Sequence, residues 1–179
     1  MKNISTESLG SFETSGVLCV TDPCYRRGTW CTAYDIACRP GTWESEIKLA
    51  DFGGWGRRVA SLEAHCAAVS VAELSQIPWE EHPNEIGVDS GQCGIFDQGR
   101  YPEGKAGNYG ELDTFYGRAC SATHDENNEV RRYAGVIAEG AVSSSGFGDG
   151  SYRVFTRALD GKVVQVLVLF VNDEEDDLE

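Results

Sequence analysis

The sequence predicts a mainly β protein, an antiparallel β-sandwich or open barrel with one packed α-helix around residues 110–122. Three observations predict it. Twenty-one glycines stand against five prolines and one methionine, a composition suited to many tight turns. Period-two alternation marks half-buried strands, as in "TWESEIKLADF" (42–52), where Trp43, Ser45, Ile47 and Leu49 alternate with Glu44, Glu46 and Lys48. Asp160-Gly161 separates two strand-like runs, and this dipeptide accepts the positive φ of a type I′ hairpin turn.

The elements follow in order. "SGVLCVTD" (15–22) reads as a strand ended by Asp22-Pro23, since proline holds its predecessor extended. After the strand at 42–52, "GGWG" (53–56) turns the chain and "RRVASLEAHC" (57–66) pairs back as a hairpin. The 69–77 segment reads either as a short helix capped by Ser70 or as a strand. "NEIGVDSGQCGIFD" (84–97) is extended around a Gly91–Gly94 break, the mark of a bulge or sharp bend. "GELDTFYGRACSATH" (110–124) is the helix, with Leu112, Phe115, Tyr116 and Ala119 on one apolar face. A polar loop covers 124–130. Three strand-like runs end the chain, "AGVIAEGAVSSSG", "SYRVFTRAL" and "KVVQVLVLFV". Joined by the glycine loop 146–150 and by Asp160-Gly161, they read as an antiparallel meander.

At 179 residues, 41% of them hydrophobic, the chain reads as one globular domain, 1–171, followed by an acidic tail, 172–179. The formal net charge is −14, and six of those charges lie in "NDEEDDLE", leaving −8 for the rest. That balance argues against binding a phosphate backbone, which requires clustered lysine and arginine. The longest apolar run, "VVQVLVLFV" (163–171), has strand length and falls short of the ~20 residues that span a bilayer. With no apolar core of a signal peptide in "MKNISTESLG" and an odd count of seven cysteines, the chain reads as cytoplasmic with reduced thiols.

Three blocks, "VTDPCY", "GVDSGQCGIFD" and "VSSSGFGDGSYRVF…DGKVVQVLVLF", resemble in order an uncharacterised family of bacterial and phage proteins, domain of unknown function 4241. The resemblance implies a fold class and a set of marked positions, and no activity.

Aspartates at glycine-rich turns are the leading functional candidates: Asp22, Asp89, Asp97 and Asp149, flanked by Gly91, Ser145, Gly148 and Tyr152. Carboxylates joined by backbone carbonyls suit a hard cation, so Asp22, Asp89 and Asp149 form a candidate site for Ca²⁺ or Mg²⁺. The plainer reading is that each bonds neighbouring backbone N–H groups in an Asx-turn. No EF-hand or P-loop pattern is present. The glycine loop reads as a hairpin turn with Asp149 aimed at Arg153 or a backbone amide, and as the wall of a pocket.

Other constellations are thinner. Cys19, Cys24, Cys31 and Cys38 lack the two close pairs of a zinc site and read as free thiols. His65, His82 and His124 are the available imidazoles, no G-x-S-x-G elbow occurs, and a Cys93–His dyad stays open. Trp55, beside Arg57 and Arg58, either stacks a base or sugar or, more plainly, caps the β core. The function that emerges is a non-catalytic module binding a small ligand or divalent cation, with no nucleic acid or membrane partner. The rival is a protein-interaction or decoy module, phage- or defence-related, whose acidic surface meets a basic partner. A third reading is a hydrolase using paired carboxylates such as Asp89 and Asp149.

Overall fold

The computed structural model describes residues 3–108, 110–124 and 133–171. Twelve strands and two α-helices appear among them: β1 (Ile4–Thr14), β2 (Val17–Thr21), β3 (Ala33–Ala37), β4 (Gly41–Asp51), β5 (Arg57–Cys66), α1 (Val71–Leu74), β6 (Glu80–Glu81), β7 (Ile86–Val88), β8 (Gln92–Asp97), α2 (Phe115–Thr123), β9 (Ala134–Ile137), β10 (Gly140–Ser144), β11 (Gly150–Leu159) and β12 (Lys162–Leu169). They form two antiparallel sheets. One runs β1-β4-β5-β12-β11-β6, with β7 also paired to β11, and the other runs β3-β2-β8-β10-β9. The architecture is a sandwich and not a closed barrel.

Alternation along the strands builds three layers. Leu18 and Val20 of β2, Cys93 and Ile95 of β8, and Ala141 of β10 face the other sheet, where Trp43, Ile47, Leu49, Val59, Leu62, Val164, Val166 and Val168 meet them. The intervening Cys19, Phe96 and Val142 face the opposite way, onto Phe115 and Ala119 of α2 and onto Tyr101. The five-stranded sheet is therefore apolar on both faces. Burying a single leucine such as Leu18 contributes about 2 kcal/mol, so this double-sided burial is the main drive to the fold. Gly94 lies inside β8 without a break, paired to Thr21 on one side and Val142 on the other. A Cβ there would stand 2.1 Å from the Phe96 ring, so the glycine makes room for the aromatic cluster rather than marking a bulge. The bend falls at Gly91 instead, with φ at +69°.

Several sequence expectations hold. β4 and β5 pair in the expected hairpin. Asp160 and Gly161 take φ of 53° and 73° between paired Leu159 and Lys162. Ser70 caps α1 through a full capping box with Glu73.

Others are corrected. The C-terminal third is no simple meander, because β10 lies in the five-stranded sheet and β11 in the other. The glycine loop between them is an inter-sheet crossing, not a hairpin turn. "AGVIAEGAVSSS" is itself a hairpin, β9 and β10 pairing Ile137 with Gly140. Helix α2 starts only at Phe115, after its cap Thr114, so Leu112 lies outside it and is 60% exposed. The polar loop beyond His124 and the acidic segment 172–179 lie outside the described residues.

Asp97 closes β8 and is buried. Its Oδ1 accepts from the Ser15 amide (2.8 Å), the Ser15 hydroxyl (2.8 Å) and the Thr14 hydroxyl (3.1 Å). These bonds fix the β1–β2 crossing between the sheets. Asp97→Asn, which weakens all three charge-assisted bonds at once, is expected to cost about 2 kcal/mol, read as a lowered urea midpoint with unchanged m.

Candidate functional site

Three chain segments meet at one end of the sandwich, and a buried carboxylate joins two of them. Asp22 follows β2 at the "DPC" turn and is fully buried. Its Oδ1 accepts from the Cys24 amide (2.8 Å) and the Ser90 hydroxyl (2.7 Å), and its Oδ2 from the Asp89 and Ser90 amides (2.8 and 2.7 Å). Four donors occupy the lone pairs facing them, so the Asx-turn reading holds for Asp22, extended here across 68 residues. The third segment is the glycine loop between β10 and β11. The Ser145 amide donates to the Gly91 carbonyl at 3.0 Å, and the Ser145 hydroxyl closes the loop on the Gly148 carbonyl at 2.7 Å. The Tyr152 hydroxyl stands 2.9 and 2.6 Å from the Ser145 and Gly148 carbonyls, and burial raises its pKa above the ordinary phenol value. Gly146 takes φ of +63° with Val59, Phe170 and Val171 close to where a Cβ would point, so a side chain there would be both strained and crowded.

Between these segments opens a cleft of about 900 Å³. The turn after β2 supplies Tyr25, Thr29, Trp30 and Cys31, the β7 segment supplies Asn84, Glu85 and Asp89, and the start of β11 supplies Asp149, Gly150 and Ser151. The Tyr25 hydroxyl donates to Asp89 at 2.7 Å, and burial followed by this carboxylate drives its pKa upward. The Tyr25 carbonyl accepts from the buried Tyr101 hydroxyl at 2.7 Å, which ties the cleft wall to the aromatic cluster. Trp30 is 91% exposed.

Of the eight predicted ligand residues, only Asp89 and Asp149 line the cleft. Asp22, Gly91, Ser145, Gly148 and Tyr152 hold its walls. Asp97 is elsewhere, at the far end of β8. The cation set of Asp22, Asp89 and Asp149 does not assemble: among the described residues no three His, Cys, Asp or Glu side chains are placed to hold a metal ion. Arg153, the expected partner of Asp149, is bidentate to Glu81 at 2.8 and 2.7 Å. Trp55, expected to cap the core, is 72% exposed. Tyr25 fell within the "VTDPCY" block, but Trp30 and Glu85 carried no periodic or motif signal.

The model of a family described as protein of unknown function (DUF4241) matches residues 13–168. The chain belongs to this family. The match runs from the end of β1 to the penultimate residue of β12, so every segment around the cleft lies inside the family's span. No curated protein and no solved structure matches the chain.

Two thiols behind the cleft, Cys24 and Cys93, are poor nucleophiles. Burial, reinforced by Asp22, pushes the Cys24 thiol up, and complete burial pushes Cys93 well above its ordinary value. A second cavity, about 320 Å³, lies on the outer face of the seven-stranded sheet beneath α1. There Arg157 stacks 4.2 Å above the Trp79 ring and donates to Gln165, which donates to Glu63.

Two outcomes are expected. Asp22→Asn replaces one acceptor oxygen by an NH₂ facing backbone N–H groups, and should cost about 3 kcal/mol with loss of amide-exchange protection at Asp89 and Ser90. Burial raises the Glu63 pKa above 4.5, so the folded state favours its protonated form. That contribution is complete below the unfolded value and lost as pH rises through the folded one. Glu63→Gln should therefore gain on the parent protein from acidic to neutral pH, measured as the difference in unfolding free energy at each pH.

Proposed function

We propose that the protein is a non-catalytic binding module whose cleft receives an organic cation, an ammonium or guanidinium group. The observation that carries this reading is the lining of the cleft. Carboxylates of Glu85, Asp89 and Asp149 arrive from two separate segments beside the exposed Trp30 ring, with no lysine, arginine or histidine among the described lining residues. An aromatic face attracts a cation through its quadrupole, and carboxylates supply charge and hydrogen-bond acceptance. The net charge of −14 steers cations toward the protein at low salt. A divalent metal suits the cleft less well, since Ca²⁺ requires some 6–8 oxygen ligands and no three candidate ligand side chains converge among the described residues. The absence of a histidine beside Cys31 in the described lining, and the raised thiols nearby, favour binding over nucleophilic catalysis.

Blocked arginine, N-acetylarginine amide, is the first probe, followed by calorimetry and tryptophan fluorescence. Asp89→Asn and Asp149→Asn should each weaken its binding about fivefold, roughly 1 kcal/mol, and rising salt should weaken it further. Excess Ca²⁺ over EDTA should leave the Tm unchanged. Failure of blocked arginine to bind at millimolar concentration, or a Ca²⁺-dependent rise in Tm lost in Asp149→Asn, overturns the reading.

A further inference from the structure

The loop that supplies Asp149 to the cleft also carries Phe147, which points to a different neighbour. Phe147 meets Phe52 edge-on, ring centroids 5.1 Å apart, and lies 5.9 Å from the Arg58 guanidinium. Phe52 and Arg58 flank the β4–β5 turn, whose short 3₁₀ turn Gly53–Trp55 presents Trp55. Phe147 is 56% exposed and Trp55 72%. Two large aromatic surfaces thus stand in solvent beside the cleft, joined to it by one short, tightly hydrogen-bonded loop.

The sheet sets their separation. From the β4–β5 turn, the strand order passes through β5, β12 and β11 to β7, whose Val88 pairs with Gly150. Three strand spacings of ~4.8 Å put β5, at the Trp55 end of the platform, about 14 Å from β7, with Phe147, two residues from Asp149, on the way between them. An extended chain rising ~3.3 Å per residue covers that distance in about four residues, whereas a single blocked amino acid does not reach across.

We infer that this end of the sandwich is a continuous docking edge for an extended polypeptide segment, with a cationic side chain in the cleft and an apolar side chain on the Phe147–Trp55 platform. The inference rests on the cation reading of the cleft and specifies what carries the cation. Charge complementarity selects the partner at the cleft end, where Glu85, Asp89 and Asp149 on a chain of net charge −14 attract a basic group and repel a phosphate, while the platform end, with Arg58 beside Phe147, takes an apolar side chain. Exposed aromatics next to a polar pocket have the composition of interface hot spots, and main-chain movement is not required, because Tyr152, Ser145 and Gly91 already pin the loop.

The test uses the full chain and blocked pentapeptides in which arginine and phenylalanine are separated by three alanines, in both orders. One order should bind at least tenfold more tightly than blocked arginine. Replacing the peptide's phenylalanine by alanine should remove that gain. Phe147→Ala and Trp55→Ala should bring the pentapeptide down to the level of blocked arginine without changing blocked arginine itself, and Asp89→Asn should weaken both ligands. The Tm of each variant, matched to the parent, separates lost contact from lost fold. If blocked arginine binds and neither pentapeptide exceeds it, the docking edge is wrong and the cleft reading stands. If neither ligand binds, both readings fall. A concentration-dependent dimer abolished by Phe147→Ala assigns the platform to a second copy of the chain and overturns the inference.

Discussion

The carboxylate of Asp22 is the constraint on which this end of the molecule depends. A buried carboxylate is costly to desolvate unless donors replace the lost water, and Asp22 receives four, at 2.7–2.8 Å, from Cys24, Asp89 and Ser90. The arrangement works in both directions. The amides of Asp89 and Ser90 leave the ladder where β7 hands over to β8, and a buried unpaired N–H would cost as much as the bond it lost. Asp22 thus permits the chain to change sheets at that point. Asp97 does the same at the other end of β8, holding Ser15 and Thr14 at the β1–β2 crossing. The central strand of the aromatic layer is clamped at both ends by buried aspartates, Asp22 facing neutral donors and Asp97 facing neutral donors on Oδ1 and Arg100, 3.8 Å away, on Oδ2.

Sheet crossings explain why the glycine-rich loops lie where they do. The chain passes between sheets after β1, β3, β7 and β10, and two of those crossings, β7–β8 and β10–β11, meet through the Ser145–Gly91 bond. A crossing must turn sharply out of one ladder without leaving polar groups stranded, which demands small residues and local side-chain donors. The density of glycine and serine in 143–150 follows from that requirement. The cleft is then a by-product of geometry: two crossings and the β2–β3 connection stand side by side, and the space among them is walled but not filled.

How much of this was legible depends on what each residue answers to. Hairpins and caps answer to local chemistry, so Asp160-Gly161 could be read directly, and Ser70 offered a helix cap although the segment stayed open between helix and strand until the structure showed its box with Glu73. Strand β1 could not, because an edge strand with most side chains in solvent, as in "ISTESLGS", shows no apolar alternation. The Leu112 error has a similar origin: helical spacing placed it on a face, but the Thr114 cap ended the helix before reaching it. Pairing partners were also beyond reach. "SYRVFTRAL" reads as a strand wherever it goes, and nothing in its residues says that it leaves the sheet of its predecessor. Trp30 was illegible for the opposite reason to β1, since large apolar rings are normally buried and only the folded chain shows it outside, whereas the glycines around Trp55 already pointed to a partly exposed ring.

The four aspartates singled out by sequence divide along the same line. Each reads as a turn residue, so the sequence treats them alike, yet burial separates Asp22 and Asp97 from Asp89 and Asp149. The buried pair spend their lone pairs on the protein's own donors and hold the framework. The exposed pair line the cleft instead. Two unit charges 4 Å apart interact by about 1 kcal/mol in bulk water and about 4 kcal/mol at the effective dielectric of a protein surface, so a carboxylate held against a wall attracts a cation more strongly than the same group on an open loop. Under the proposed cation reading, the framework aspartates act at one remove, by holding the segments that carry Asp89 and Asp149.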